Sequence, residues 1–160
     1  MPEGLRDISS YDHEYFMQIA IDEAIIAGER GDKPIAAVLV YDHMIMGKMS
    51  NTWNTRQSKV HHAENYLILE NALFIRNHGP QCIVYTTLEP CLMCIGTIVM
   101  ADIRNVVIGY EDRYMQTQKF INSHSWLKDR VFNYIMNVKR QECKALIEKY
   151  GDEQDKSILL

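Results

Sequence analysis

Apolar positions first recur with a helical period. From Tyr11 to about Arg30, Phe16, Ile19, Ala20, Ala24 and Ala27 fall at i, i+3 and i+4 spacing, with Glu23 the charged interruption. Such a stripe predicts a helix that lays one face on a core. Ser9, Ser10 and Asp12 are candidate caps, and Gly28, Gly31 and Pro34 close it. Ile35–Val40 is then an unbroken apolar run of strand length. Tyr41-Asp42-His43 turns the chain, with His43 an exposed turn residue, and Met44–Met49 returns as a second strand.

The pattern turns polar from Ser50 to Val60, a loop long enough to be functional. A second helix is expected from His62 to about Asn77, packing through Tyr66, Leu69, Ala72 and Leu73, and stopped by His78-Gly79-Pro80. Cys82–Thr87 reads as a third strand, Cys91 to about Asp102 as a helix, and Asn105–Gly109 as a fourth strand. A strand–helix–strand order of this length is a βαβ crossover, so strands three and four are expected parallel. Beyond Tyr110 the pattern weakens. Residues 113–125 read as a polar loop or irregular helix, 131–138 as a fifth strand, Gln141–Tyr150 as a short helix, and the rest as a frayed polar tail. The order predicts an α/β fold of three layers, α/β/α: a mixed five-stranded sheet with helices on both faces. With no repeat, low-complexity tract or linker, the chain is expected to form a single domain with its core at about residues 12–150.

Composition agrees and narrows the choices. The 160 residues are 47% hydrophobic and 24% charged, ordinary values for a chain able to bury a core. No apolar run reaches membrane-span length, and Met1–Asp7 has neither a basic start nor an apolar segment of a secretion signal. Four cysteines are too few for a disulfide framework, and two have metal spacing, which suits a reducing, cytoplasmic setting. The net charge of −4 argues against a partner bound mainly through phosphates, so nucleic acid ranks below a small molecule. Lys128 with Arg130, and Lys139 with Arg140, are interrupted by acidic neighbours.

Against this background His62-Ala63-Glu64 and Pro90-Cys91-Leu92-Met93-Cys94 stand out. Structural zinc sites close with four protein ligands, whereas catalytic ones keep a position open for water. His62, Cys91 and Cys94 make three, and neither Cys82, expected mid-strand, nor Cys143, on the C-terminal helix, has ligand spacing. The count points to an open Zn2+ site. His61 also neighbours Glu64, but only His62 gives the His-x-Glu spacing. Pro90 starts the cysteine helix, whose positive end favours thiolates. Glu64 is placed to carry protons as general base and then acid, and the backbone N–H groups around Ala63 and Cys91 could hydrogen-bond the reacting centre. H-x-E…P-C-x-x-C is the recognised signature of zinc-dependent base deaminases.

The chain resembles the cytidine deaminase-like superfamily, in the branch that holds tRNA adenosine deaminases, guanine deaminases and fungal-type cytosine deaminases. The resemblance rests on Pro34–Val40, Asn51, His62-Ala63-Glu64, Thr86 through Cys94 with Ile95-Gly96-Thr97-Ile98, and Glu142-Cys143, and covers roughly residues 12 to 150. It implies a zinc hydrolase that releases ammonia from a nucleobase or nucleoside in base salvage. It also implies that Asn51 contacts the base and that a homodimer packs through the Cys91–Asp102 helix. Tyr110 and Tyr114, after the fourth strand, are expected substrate contacts. The tRNA-acting members typically carry a Lys/Arg-Thr-Gly-Ala-like loop and a basic C-terminal helix. Here Glu111–Thr117 and the acidic run Gly151–Asp155 stand instead. The leading expectation is therefore a free nucleobase or nucleoside, guanine or cytosine-like. A tRNA wobble adenosine deaminase is second and a non-catalytic zinc-stabilised binding subunit third.

Overall fold

A computed structural model describes residues 2–159. Helix α1 (His13–Arg30) leads into the antiparallel pair β1 (Ala36–Tyr41) and β2 (Met44–Ser50). Then come α2 (Ala63–Glu70), α3 (Ala72–His78), a 3₁₀ turn at Gly79–Gln81, β3 (Cys82–Leu88), α4 (Leu92–Met100) and β4 (Asn105–Tyr110). The chain ends with α5 (Thr117–Ser123), α6 (Ser125–Arg130), β5 (Asn133–Ile135), α7 (Arg140–Tyr150) and α8 (Glu153–Lys156). The sheet order is β2-β1-β3-β4-β5, with β3, β4 and β5 parallel and β1 antiparallel to β3.

The central strands are mostly apolar because both faces are covered. Strand alternation divides them between two cores. Ala36, Val38, Val40, Ile83, Tyr85 and Val107 meet α1 and α7 through Met17, Ala20, Cys143 and Leu146. Ala37, Leu39, Cys82, Val84, Val106 and Ile108 meet α2 and α4 through Leu67, Ile95, Ile98 and Val99. This is the expected α/β/α arrangement. Gly109 admits α7 against β4, since a side chain there would collide with Cys143. Among the described residues no helix is long and apolar enough to cross a membrane.

Several expectations are corrected. Helix α1 begins at His13, because the Asp12 carboxylate caps it by accepting from the Tyr15 N–H; Tyr11 instead stacks on His43 at 3.9 Å. Gly28 lies within α1, and Gly31, at φ 93°, is its C-cap. The expected second helix breaks at Asn71, whose side-chain N–H donates to Leu67 O (2.8 Å). The buried stripe is also a different one from that expected: Leu69 and Leu73 are 72% and 76% exposed, while Ala63, Leu67, Ile68 and Ile75 are buried. Residues 113–125 contain α5 and the start of α6, and the fifth strand is only three residues long. The tail is not frayed at α8, which Asp152 and Asp155 close with a reciprocal capping box.

The polar loop after β2 is fastened by Asp32. Its fully covered carboxylate accepts from the N–H groups of Asn54 and Thr55 (both 2.8 Å), the Thr55 hydroxyl (2.6 Å) and Arg30 Nε (2.6 Å). Burial alone would raise its pKa; the hydrogen bonds from Thr55, Arg30 and Asn54 outweigh it and hold the carboxyl below its ordinary value. Asp32→Ala should cost about 2–4 kcal/mol in denaturant unfolding at neutral pH, because it strands buried donors. A folded pKa below the unfolded one gives stability that is present above the unfolded value and lost as pH falls through the folded value. The gap between variant and wild type should therefore close in acid. A gap that stays constant into acid would contradict this role.

Candidate active site

His62 and Cys91 each occupy a helix N-cap in extended backbone, at α2 and α4. The two helix starts face one another. His62 Nδ1 lies 3.6 Å from Cys91 Sγ and 3.5 Å from Cys94 Sγ, and all three donor atoms fall within 4.8 Å of one another. Cys91 Sγ accepts from the Cys94 N–H at 3.4 Å, as an N-cap side chain does. His62 Nε2 is 3.0 Å from Lys59 O, which can only accept, so Nε2 carries a proton and Nδ1 is the nitrogen left to ligate a metal in the neutral imidazole. Nitrogen plus two sulfurs is a donor set that suits zinc, and three ligands leave a position free. His61 is outside this cluster and packs edge-on against Tyr66. Cys82 and Cys143 are buried elsewhere, in strand and helix, and burial pushes both thiols up to about 12.

The two thiols are pushed in opposite directions. The hydrogen bond with Cys94, then that with His62, brings Cys91 down to about 4 against the penalty of burial; the same bond raises Cys94. The Cys91 contact also raises the His62 imidazole. Metal uptake must therefore release protons from the cluster.

Glu64, in the first turn of α2, is 3% exposed. Burial raises its pKa, against the hydrogen bond from Thr86. Thr86 Oγ1 lies 2.7 Å from Glu64 Oε1 and 2.9 Å from Leu88 O. A hydroxyl has one proton and two lone pairs. It can donate to an ionised Glu64, or accept from a protonated one while donating to Leu88 O. Thr86 thus satisfies both protonation states of a buried carboxyl, a role that strand patterning in sequence did not reveal.

These groups meet at a cavity of about 210 Å³. Its lining includes His62, Glu64 and Cys91 together with Asn51, Trp53, Leu88, Glu89 and Met115. Asn51 is 1% exposed and fixed through its backbone, N–H to Ile35 O and carbonyl to Arg30; its side-chain oxygen accepts from Trp53 N–H. Glu89 takes hydrogen bonds from Asp112 N–H (3.0 Å) and Tyr134 Oη (2.7 Å), which pins the segment after β4 to the end of β3. The C-terminal residues Gln154, Asp155 and Ile158 complete the wall.

Three expected contacts are not in this lining. Ala63 is buried at the start of α2. Tyr110 is buried in the core beneath α1 and α7, its ring 4.7 Å from the Arg140 guanidinium. Tyr114 is 62% exposed beside Arg113. The strand ends at Tyr110 pointing into the core, and the pocket is reached instead by Asp112 and Met115.

A family model of the cytidine and deoxycytidylate deaminase zinc-binding region matches residues 10–110. The chain belongs to this family. This deaminase is 32% identical to a tRNA-specific adenosine deaminase of Buchnera aphidicola subsp. Baizongia pistaciae over 142 residues, 86% of each chain. It is 28% identical to a cytosine deaminase of Candida albicans over 147 residues, covering 91% of this chain and 93% of that one. A structure from work on A-to-I editing by tRNA:A34 deaminases superposes with a TM-score of 0.71 at 28% identity, covering 82% of this chain and 98% of that one. The resemblance carried by the motifs therefore stands, and with it a hydrolase acting on C–N bonds of cyclic amidines.

Cys91→Ala should lower bound zinc from one per chain to a small fraction, measured by metal analysis after gel filtration. Its melting temperature should fall, and zinc should no longer raise it. Full zinc occupancy in this variant would remove Cys91 from the ligand set.

Proposed function

We propose that the protein is a zinc-dependent hydrolase that removes the exocyclic amine of a nucleobase and releases ammonia. One observation carries this reading: a three-donor metal set, with room for a further ligand, beside a buried carboxyl on the wall of a base-sized cavity. His62, Cys91 and Cys94 would hold the ion, whose part is Lewis acidity and a lowered pKa for water. Glu64 takes a proton from the attacking water as the new C–O bond forms. It delivers that proton to the ring nitrogen, then carries a second from the former water to the amine as the C–N bond breaks. Water and the aminated ring thus become the carbonyl form and ammonia. The Asn51 carboxamide, its oxygen already engaged, can offer its NH2 to a ring acceptor. A purely structural zinc site has no use for a cavity-lining carboxyl, which weighs against a non-catalytic subunit.

For the substrate, the relatives favour the tRNA adenosine reading over the free-base expectation: a tRNA-specific enzyme aligns over most of both chains. The cavity favours the second reading, a free nucleobase or nucleoside. At about 210 Å³ it is below the roughly 300–1,000 Å³ usual for ligand sites and suits a single ring system. Its charged lining is mostly acidic, with Glu64, Glu89, Asp112 and Asp155 around one lysine, Lys33, which opposes a phosphodiester chain. Free cysteines throughout fit a cytoplasmic enzyme.

Zinc-loaded protein should be tested for inosine formation on tRNA bearing a wobble adenosine, and for ammonia release from guanine, cytosine, adenine and their nucleosides. Inosine in tRNA, with salt-dependent binding, supports the first substrate reading; turnover of a free base alone supports the second. Failure of both sets would count against the proposed activity.

We also propose a homodimer through α4. Ile95, Ile98 and Val99 face the protein's own core, while Leu92, Met93 and Met100 are 45%, 36% and 73% exposed. Met100→Lys should shift the protein towards monomer in analytical ultracentrifugation. A monomeric wild type would refute the dimer.

A further inference from the structure

The cavity has a wall contributed by the end of the chain, and one lysine ties it down. Lys33 lies between α1 and β1, with only 12% of its side chain exposed. Its ammonium is 2.6 Å from Asp155 Oδ1 and 3.4 Å from Asp152 Oδ2, more than a hundred residues away in sequence. Asp155 is itself 15% exposed and, like Lys33, lines the cavity. The same ammonium sits 5.0 Å from the Trp53 ring centroid, and Trp53 in turn lies 5.6 Å from the His62 ring. Lys33 is therefore the joint between the loop beside the metal ligand and the C-terminal wall.

Helix α8 cannot hold this position alone. It has four residues, held internally by the Asp152–Asp155 capping box and by single-turn backbone hydrogen bonds such as Lys156 N–H to Asp152 O and Ser157 N–H to Glu153 O. Beyond it, Ile158 packs into the core and Arg113 donates to Ser157 O at 3.0 Å on the exposed side. The segment is thus anchored at its end by apolar packing and at its middle by Lys33. A pair this covered is screened little by solvent, and losing one member strands the other charge.

We propose that Lys33 is a positioning residue for substrate binding. Its ion pair with Asp155 latches the C-terminal helix beside the loop of Trp53, fixing the shape and charge of that wall of the cavity. The latch shapes the site invoked above for deamination, but it is a property of the fold and can be tested without a substrate.

The test is hydrogen exchange of zinc-loaded protein at the amides of Asp155, Lys156 and Ser157, in Lys33→Met, Lys33→Arg, Asp155→Asn and the Lys33→Met/Asp155→Asn double variant. The Asp155→Asn side chain keeps an oxygen for the cap. Lys33→Met should speed exchange there by about tenfold, with α1 and β3 unchanged. Lys33→Arg should stay near wild type, and the double variant should exchange no faster than the faster single variant. With a substrate in hand, Lys33→Met should raise KM about tenfold and leave kcat within about twofold. Unchanged exchange in Lys33→Met, additive effects in the double variant, or an Arg variant as loose as Met would overturn the latch. If no substrate is turned over, the deaminase reading fails while the exchange result still decides the latch.

Discussion

Two helix starts meet at one point, and the site depends on that meeting. His62 and Cys91 are both N-caps, and Cys94 lies within the first turn after Cys91. Unpaired N–H groups and helix polarity make this a favourable place for thiolates. The sheet enforces the geometry. Parallel β3 and β4 require α4 as a crossover, so the chain leaving β3 must start a helix at the strand's carboxyl end. Cys91 caps it, and just before the cap the Thr117 hydroxyl holds the Pro90 carbonyl at 2.6 Å. Helix α2 packs on the same face of the sheet as α4, in the core shared by Leu67, Ile95 and Ile98, which delivers His62 and Glu64.

Much of this was legible because it was periodic or motif-borne. The unbroken apolar run at β1 and the largely apolar, β-forming stretches at β3 and β4 mark strands covered on both faces, and the metal cluster follows from spacing. What escaped depends on contacts distant in sequence. Leu69 and Leu73 fit one helical stripe, but the sheet and α4 cover the neighbouring stripe of Ala63, Leu67, Ile68 and Ile75 and leave the two leucines outward. Tyr110 and Tyr114 differ in burial by the width of the sheet edge, which no local pattern records. The tail reads as frayed because its stabilising partner, Lys33, is at the other end of the chain.

The cavity walls share a construction. Each is a segment of weak intrinsic structure held by a charged side chain taken largely out of water. Asp32 fixes the loop that carries Asn51 and Trp53, Glu89 fixes the segment of Asp112 and Met115, and Lys33 fixes α8. A charge in such a place tolerates few arrangements, because losing its partners costs several kcal/mol, about 3–5 for a buried pair. The metal-ligand cluster rides on two helix starts, whereas the cavity walls hang on these three side chains. Reaction class can therefore be read from the ligands alone, while the identity of the base follows from walls assembled across the whole chain.

In the proposed hydrolytic deamination Glu64 moves the protons while His62, Cys91 and Cys94 hold the metal. Glu64→Gln separates these roles, since it keeps the side-chain shape and a hydrogen bond to Thr86 but cannot cycle a proton. Zinc should stay at the wild-type stoichiometry, and ammonia release should slow by about 10²–10⁴-fold. A Glu64→Gln variant that keeps its zinc and deaminates at the wild-type rate would contradict this role for Glu64.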